Sequence, residues 1–260
     1  MSFIINPYRF GGNGLGTPDL LTNLRYVHDM DGVSPRYGGT NLSAGGTLTT
    51  GVTGLVAPSS SPEAYQYDGG YTNKYDAMHN CFRCNYNASR AFAFEFWFKF
   101  KANPSSYSGT DNLTSNDNGT WPSYPPTHMK FGCNFNTMQW SLKMSKSPSV
   151  HVIPYFTFGA IPDDTNWHQV VMVFDTGAEY FDFWLDYNKT SFGASIFDNT
   201  STSYVGVSGE GLQWEGDKTV LDVWRAWTGF GTAGKTKALD VVEVYNLWNG
   251  GAGLDYDSFV

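Results

Sequence analysis

The sequence predicts an all-β protein, a two-sheet antiparallel β-sandwich with an N-terminal arm. The strongest observation is the run AFAFEFWFKFK at 91–101, where Phe92, Phe94, Phe96, Phe98 and Phe100 occupy every second position. Strict alternation places them on one face of a strand, because successive side chains point to opposite sides. A wall of five rings needs a second packed layer to cover it. The opposite face carries Ala93, Glu95, Trp97, Lys99 and Lys101 and is expected to meet water in part. Composition agrees: aromatic residues make up 17% and charged residues only 15%, against the usual ~25%, and there are 29 glycines. The third observation is an absence. Turn residues recur at short intervals, and no segment longer than about ten residues holds a 3.6-residue period.

Taken in order, residues 1–20 read as an arm punctuated by Gly11, Gly12, Gly14 and Gly16, with Thr17-Pro18-Asp19 placed to cap one helical turn through Leu21. Strands are expected at Leu24–Asp29 and Ala64–Tyr67, separated by a long Gly/Ser/Thr-rich segment. After the phenylalanine strand, Asn103 to Pro126 is polar and aperiodic and reads as a surface excursion. Strands resume at Met138–Met144 and His151–Phe158. Trp167–Asp175 follows, then Tyr180–Tyr187 with Phe181, Phe183, Leu185 and Tyr187 on one face and Asp182 and Asp186 on the other. Thr219–Thr228 and Asp240–Trp248 complete the set. The 260 residues suit one domain, residues 21–253, with an arm before it and a tail at 254–260.

The formal net charge of −8 repels phosphate backbones and acidic headgroups, so neither nucleic acid nor membrane is an expected partner. No apolar run approaches the ~18 residues of a membrane span, and the first residues lack a signal-peptide pattern. Synthesis in a cytoplasm is the expectation. Cys81, Cys84 and Cys133 are an odd set and cannot form a disulfide framework. With His79 they offer zinc's ligand types, but no second pair stands at ligand spacing, so buried free thiols explain them at least as well.

Four pieces of the chain, in this order, carry a resemblance to a known family. They are LRYVHDMDG (24–32), RAFAFEFWFKFKANP (90–104), DTNWHQVVMVFDTG (164–177) with FDFWLDYNKT (181–190), and KALDVVEVYNLWNGGAG (237–253). Together they resemble the concanavalin A-like lectin/glucanase superfamily, particularly its laminin-G-like branch. The resemblance implies a jelly roll of two antiparallel sheets, with 237–253 as its last strand and tail. The hairpin departs from the pattern, since Asn188-Lys189 stands where Asp-Gly is common. That scaffold hosts lectins, glycosidases and structural modules, so function must come from sites.

GFGTAGKT (229–236) satisfies the phosphate-loop spacing. Such a loop needs a helix directly after it and a parallel sheet behind it, and the β-branched run after Lys237 is expected to be a strand. Glucanases of the superfamily carry a Glu-x-Asp-x-x-Glu strand; ALDVVE (238–243) keeps Asp240 and Glu243 but has Ala238 at the nucleophile position. Retaining hydrolysis needs two carboxyls ~5 Å apart, which this segment lacks. GVSGEG (206–211) fails the nucleophile-elbow pattern at its last residue. The five histidines are dispersed, and His168, after Trp167, reads as a packed structural residue. No catalytic set is therefore assigned. Related jelly rolls bind calcium through loop carboxylates, which would use Asp29 and Asp31 here, although surface acidity explains both as well. Sugar binding uses exposed rings beside amides and carboxylates, and Trp121, Tyr124 and Asp117 in the polar excursion fit that description. A loop tryptophan folded back onto the sandwich fits as well.

The end of the chain, YNLWNGGAGLDY (245–256), resembles tails of laminin-G-like modules in tailed-bacteriophage structural proteins. The resemblance implies a virion accessory or decoration protein, on the head surface or tail, with a lectin-like and non-catalytic sandwich. Its partners would be other virion proteins and a host surface glycan, met as a homo-oligomer or in multivalent display. Phe3, Ile4, Ile5, Tyr8 and Phe10 would dock the arm. A glycan-processing enzyme and an exported cellular lectin are the alternatives.

Overall fold

The computed structural model describes residues 19–30, 32, 34–38, 44–45, 48–56, 63–67, 71–72, 91–115, 129–144, 156–175, 180–193, 213–214, 216–228 and 237–259. Within them lie strands β1 (Leu24–His28), β2 (Ala44–Gly45), β3 (Leu48–Thr53), β4 (Glu63–Tyr67), β5 (Tyr71–Thr72), β6 (Ala91–Phe100), β7 (Thr110–Ser115), β8 (Met129–Asn134) and β9 (Gln139–Met144). They continue with β10 (Phe156–Ala160), β11 (His168–Asp175), β12 (Tyr180–Leu185), β13 (Asn188–Phe192), β14 (Gln213–Trp214) and β15 (Thr219–Thr228), followed by helix α1 (Val241–Trp248). The main sheet runs β13-β12-β11-β6-β15-β4-β3, and a second sheet runs β10-β9-β8-β7-β14. β15 pairs with β6 along its whole length. Its other edge is shared: β4 takes Val220 and Leu221, and β1 takes Trp224 to Trp227. All of these pairings are antiparallel.

The two sheets face each other across the predicted wall of rings. Phe92, Phe94, Phe96, Phe98 and Phe100 are all buried in one cluster with Phe131, Trp140, Leu142 and Phe158 of the second sheet. Phe96 lies 5.7 Å from Phe131 and 5.1 Å from Trp214, and Phe98 lies 5.9 Å from Trp140, centroid to centroid. Phe183 of β12 meets Phe158 of β10 at 5.0 Å. The fold is thus the predicted antiparallel β-sandwich.

Four details differ from the sequence reading. The segment Asp240–Trp248 is not a strand. Asp240 is an N-cap: its carboxylate accepts from the backbone N–H of Val242 and Glu243, while Glu243 Oε2 accepts from the Asp240 N–H at 2.9 Å. This reciprocal capping box satisfies donors that a helix start leaves open. Val242, Glu243, Val244 and Leu247 then form its buried side. The β-branched propensity of Val241, Val242 and Val244 is overridden by that cap and by burial.

Secondly, the outer face of β6 does not meet water at its centre, since Ala93, Glu95 and Trp97 are all fully buried. The chain beyond Lys237 covers them. Ala238, Leu239, Val244, Leu247, Leu254 and Phe259 pack on Ala91, Ala93, Val171, Val173 and Trp227, and Trp248 stacks on Trp97 at 5.4 Å with planes 9° apart. Gly253, at φ +70°, makes the close approach: a Cβ there would come within 2.4 Å of Val56.

Thirdly, the hairpin between β12 and β13 turns one pair earlier than the family pattern suggests. Leu185 pairs with Asn188, so Asp186 and Tyr187 are the two turn residues, both at positive φ. That is the backbone of a tight primed turn, whose twist matches its strands. Tyr187 therefore leaves the inner face and packs on Trp184 and Tyr245.

Finally, polar strands escaped a reading based on apolar alternation. β7 lies inside the stretch taken as a surface excursion, and β3 inside the Gly/Ser/Thr-rich segment. β7 bulges between Asn112 and Thr114, which turns Leu113 into the core.

Candidate functional site

Several candidate residues fall outside the described part of the chain: Asp117, Trp121 and Tyr124, the arm residues Phe3, Ile4, Ile5, Tyr8 and Phe10, and Asp31, Cys81 and Cys84. The loop 229–236 lies outside it too. Of its required context, a helix does follow, beginning at Val241 with its own Asp240 cap, whereas the sheet behind it is antiparallel. Asp240 and Glu243 form the helix cap, and Glu243 Oε1 also accepts from the Asp19 N–H at 3.1 Å. Cys133 is a buried free thiol, its pKa pushed up by burial.

Asp29 is buried at the end of β1, with Arg225 at 3.6 Å and Arg36 at 4.0 Å. Burial pushes its carboxyl pKa up, and the two guanidiniums pull against that. Its cationic neighbours compete with any metal ion for this carboxylate, which does not fit a calcium site. Among the described residues, no three His, Cys, Asp or Glu side chains converge closely enough to hold a metal.

The outer face of the main sheet contains a buried polar floor. Glu95 of β6 accepts from Trp97 Nε1 (3.1 Å), Gln169 Nε2 (2.7 Å) and Arg225 Nη1 (3.1 Å). Arg225 also donates to the carbonyl of Leu254 at 2.7 Å, tying the C-terminal segment to the sheet. Asp222 accepts the N–H groups of Leu55 and Val56, and burial raises its pKa to about 7. A buried charge with several fixed partners holds its surroundings in one geometry, because breaking any bond leaves it uncompensated.

Above this floor lies a surface of a different kind. Val56, Trp97 and Val223 form a small buried cluster, and the half-buried Leu55, Trp167 and Trp248 pack against it. Trp167 immediately precedes β11, and Trp248 ends α1, so the two indoles come from opposite ends of the sequence's second half. Lys99 of β6 places its ammonium 4.8 Å from the centre of the Trp167 ring, a cation–π contact. Both indoles are partly exposed: Trp248 rests one face on Trp97, and the Trp167 ring carries the Lys99 ammonium. Sequence reasoning looked for such rings in the polar loop. It missed these because Trp167 reads as the start of a core strand and Trp248 as part of another.

The described residues hold two further titratable clusters, one beginning at the residue after Trp167. His168 is 7% exposed and hydrogen-bonds Asp186 through Nδ1 (2.6 Å) and Asp164 through Nε2 (2.9 Å). Burial alone would lower its pKa, but the two carboxylates outweigh that and raise it. The histidine is a brace for the β12–β13 turn, as its structural reading anticipated. At one end of the sandwich, Asp111 and Asp217 adjoin Lys218. Burial and the Asp217 charge push Asp111 up to about 7, while Asp217, bonded by Lys218 and Asp111, is held low.

No family model and no curated protein matches the sequence. Solved structures do match by shape. The fourth domain of an extracellular GH43 arabinanase from Geobacillus stearothermophilus, solved in complex with arabinotriose, aligns with 86% of this chain and 98% of that domain, at TM-score 0.51 and 12% identity. The botulinum neurotoxin serotype D binding domain aligns at TM-score 0.57 and 10% identity, over 88% of this chain and 51% of that one. Trypanosoma rangeli sialidase in complex with the inhibitor DANA aligns at TM-score 0.54 and 11% identity, over 93% of this chain. The chain thus spans nearly all of the arabinanase domain, half of the toxin domain and 35% of the sialidase. At such identities the likeness is one of fold alone, that of a β-sandwich.

Proposed function

We propose that the protein is a non-catalytic, glycan-binding β-sandwich, displayed as an accessory protein on the head surface or tail of a bacteriophage particle. The observation that carries the glycan-binding part is the pair of half-buried indoles, Trp167 and Trp248, seated over Trp97 and Val56. A pyranose presents C–H groups on its faces and hydroxyls around its rim. An indole face accepts the first and leaves the second to polar neighbours. Domains with this shape include one solved with arabinotriose and a botulinum neurotoxin type C whose cell entry depends on two ganglioside molecules, which supports the reading without assigning a sugar. The particle setting rests on the resemblance of residues 245–256 to phage structural modules. A shallow two-ring site binds weakly, and multivalent display would supply avidity.

A glycan array probed with wild-type protein and with Trp248→Ala and Trp167→Ala tests the binding site. Binding to a defined set of glycans, lost in both variants while the melting transition stays cooperative, supports the reading. An array on which wild type binds nothing, even when clustered on a bead, overturns it. Electron microscopy of particles incubated with the purified protein tests the setting, and failure to decorate any stage of head or tail assembly would sink that part alone.

A further inference from the structure

The charge placed beside the indole surface carries the assignment one step further, and the step rests on the glycan-binding reading above. Acidic residues outnumber basic ones in this chain, 24 to 16, so a cation would be expected to find a carboxylate partner. Several described ones do. Lys189 and Lys237 pair with Asp182, Lys218 pairs with Asp217, Arg36 with Asp257 and Arg225 with Glu95. Lys101 acts on Asp217 through its charge. Lys99 is different. Among the described residues it has no acidic partner, and its ammonium lies against Trp167.

Its position is set by the sheet. Lys99 pairs with Val220 of β15 and stands on the same face of β6 as Glu95 and Trp97. Asp222 of the same polar floor is buried and accepts the N–H groups of Leu55 and Val56, and Glu95, on that face of β6, is fully buried and bonded to Trp97, Gln169 and Arg225. Neither presents a negative charge to the surface. Lys99 is itself only half exposed, so its stem is packed and its ammonium stays near the ring. A cation on an aromatic face, with no acidic partner among the described residues, suits an anionic group carried by a molecule that also stacks on indoles.

We propose that the ligand of the Trp167–Trp248 surface is an acidic saccharide, whose carboxylate or sulfate meets the Lys99 ammonium while its ring lies on an indole. Uronic acids, sialic acids and sulfated sugars share this chemistry, and the protein's overall negative charge makes the local cation the discriminating feature. A charged hydrogen bond of this kind contributes roughly tenfold in affinity.

The test compares matched ligands on the full-length protein: oligogalacturonate against its methyl ester, sialyllactose against lactose, and a sulfated galactan oligosaccharide against its unsulfated form. The expected result is preference for the charged member of at least one pair, roughly tenfold at low salt and falling as salt rises. Lys99→Gln should remove the preference, and Trp248→Ala should remove binding of both members. Equal binding within every pair, a preference for neutral members, or a charge preference that survives Lys99→Gln overturns this inference and leaves glycan binding standing. Absence of binding to any saccharide in wild type overturns glycan binding as well. Near-ultraviolet circular dichroism of each variant separates lost binding from lost folding.

Discussion

Replacing Phe96 with alanine should remove about 4–5 kcal/mol of stability. Phe96 is fully buried at the middle of β6, and its ring spans the space between the sheets, meeting Phe98 at 5.9 Å, Phe131 at 5.7 Å and Trp214 at 5.1 Å. Transfer of a phenylalanine side chain from water to a core contributes ~2–3 kcal/mol. Truncation also leaves a void of roughly 100 Å³, which at ~24 cal/mol per Å³ adds ~2 kcal/mol unless the neighbours collapse into it. Collapse is limited here. Phe131 is stacked on Trp140 at 5.3 Å, and Trp214 is tied through Nε1 to the Thr219 hydroxyl, so neither ring is free to move in. The assay is urea unfolding followed by tryptophan fluorescence, with Leu21→Ala, 52% exposed, as a control that should change stability by less than ~0.5 kcal/mol. A loss below about 1.5 kcal/mol for Phe96→Ala, with an unchanged denaturant slope, would refute the claim that this ring bridges the two sheets.

Three other outcomes follow from the same packing. Asp240→Ala should cost about 1 kcal/mol by removing the helix cap, with a lower melting temperature and earlier proteolysis of the C-terminal segment; an unchanged melting temperature would show that the cap is not formed. His168 has a raised folded pKa, so its contribution is complete below the ordinary imidazole value and disappears as pH rises through the raised one. Wild type should therefore lose melting temperature on going to alkaline pH, and His168→Gln should lose less over the same range. Asp111, pushed up to about 7, obeys the same sign: its contribution is complete below about pH 4 and fades as pH rises through neutrality. Asp111→Asn should flatten the stability profile between about pH 4 and pH 7, and a variant that keeps the wild-type slope there would exclude Asp111 as its source.

The sandwich was legible in the sequence because its central strands alternate. Phe92 to Phe100 and Phe181–Leu185 declare one face by a period of two, Trp167–Asp175 reads as a strand by its continuous apolar run, and these became β6, β12 and β11. β3 and β7 were not legible, since LTTGVT and TDNLTS contain too few apolar residues to show a period. Their place comes from hydrogen bonds to β4 and β8, which a single sequence does not display. The helix was misread for an opposite reason. Val241, Val242 and Val244 favour a strand by propensity, and the decisive signal, Asp240 with Glu243 three residues on, was weighed as a fragment of a catalytic motif when it is a capping box. The candidate site shared that error, because Trp248 was assigned to a strand that does not exist.

The misread helix is also what distinguishes this sandwich from one that is simply wet on its outer face. An antiparallel sheet commonly packs one face and leaves the other to water. Here the outer face carries Trp97, Val173 and Trp227 beside Glu95 and Arg225, a mixture that is unsuited to water and unsuited to a purely apolar cover. The C-terminal segment answers both parts: Leu247, Leu254 and Phe259 cover the apolar residues, and the Leu254 carbonyl accepts from Arg225 Nη2 while Nη1 donates to Glu95. Trp248 can lie flat on Trp97 only because the helix before it is fixed at its first turn by Asp240 and at its side by Leu247. A change at the cap should therefore be felt eight residues away, at a ring that Asp240 does not touch. If the indole surface is where a saccharide binds, Asp240→Ala should weaken binding while the rest of the sandwich stays folded, because a frayed α1 spends part of its time with Trp248 off its seat. Unchanged affinity in that variant, alongside a measurable loss of stability, would show that Trp248 is held by its own stacking alone.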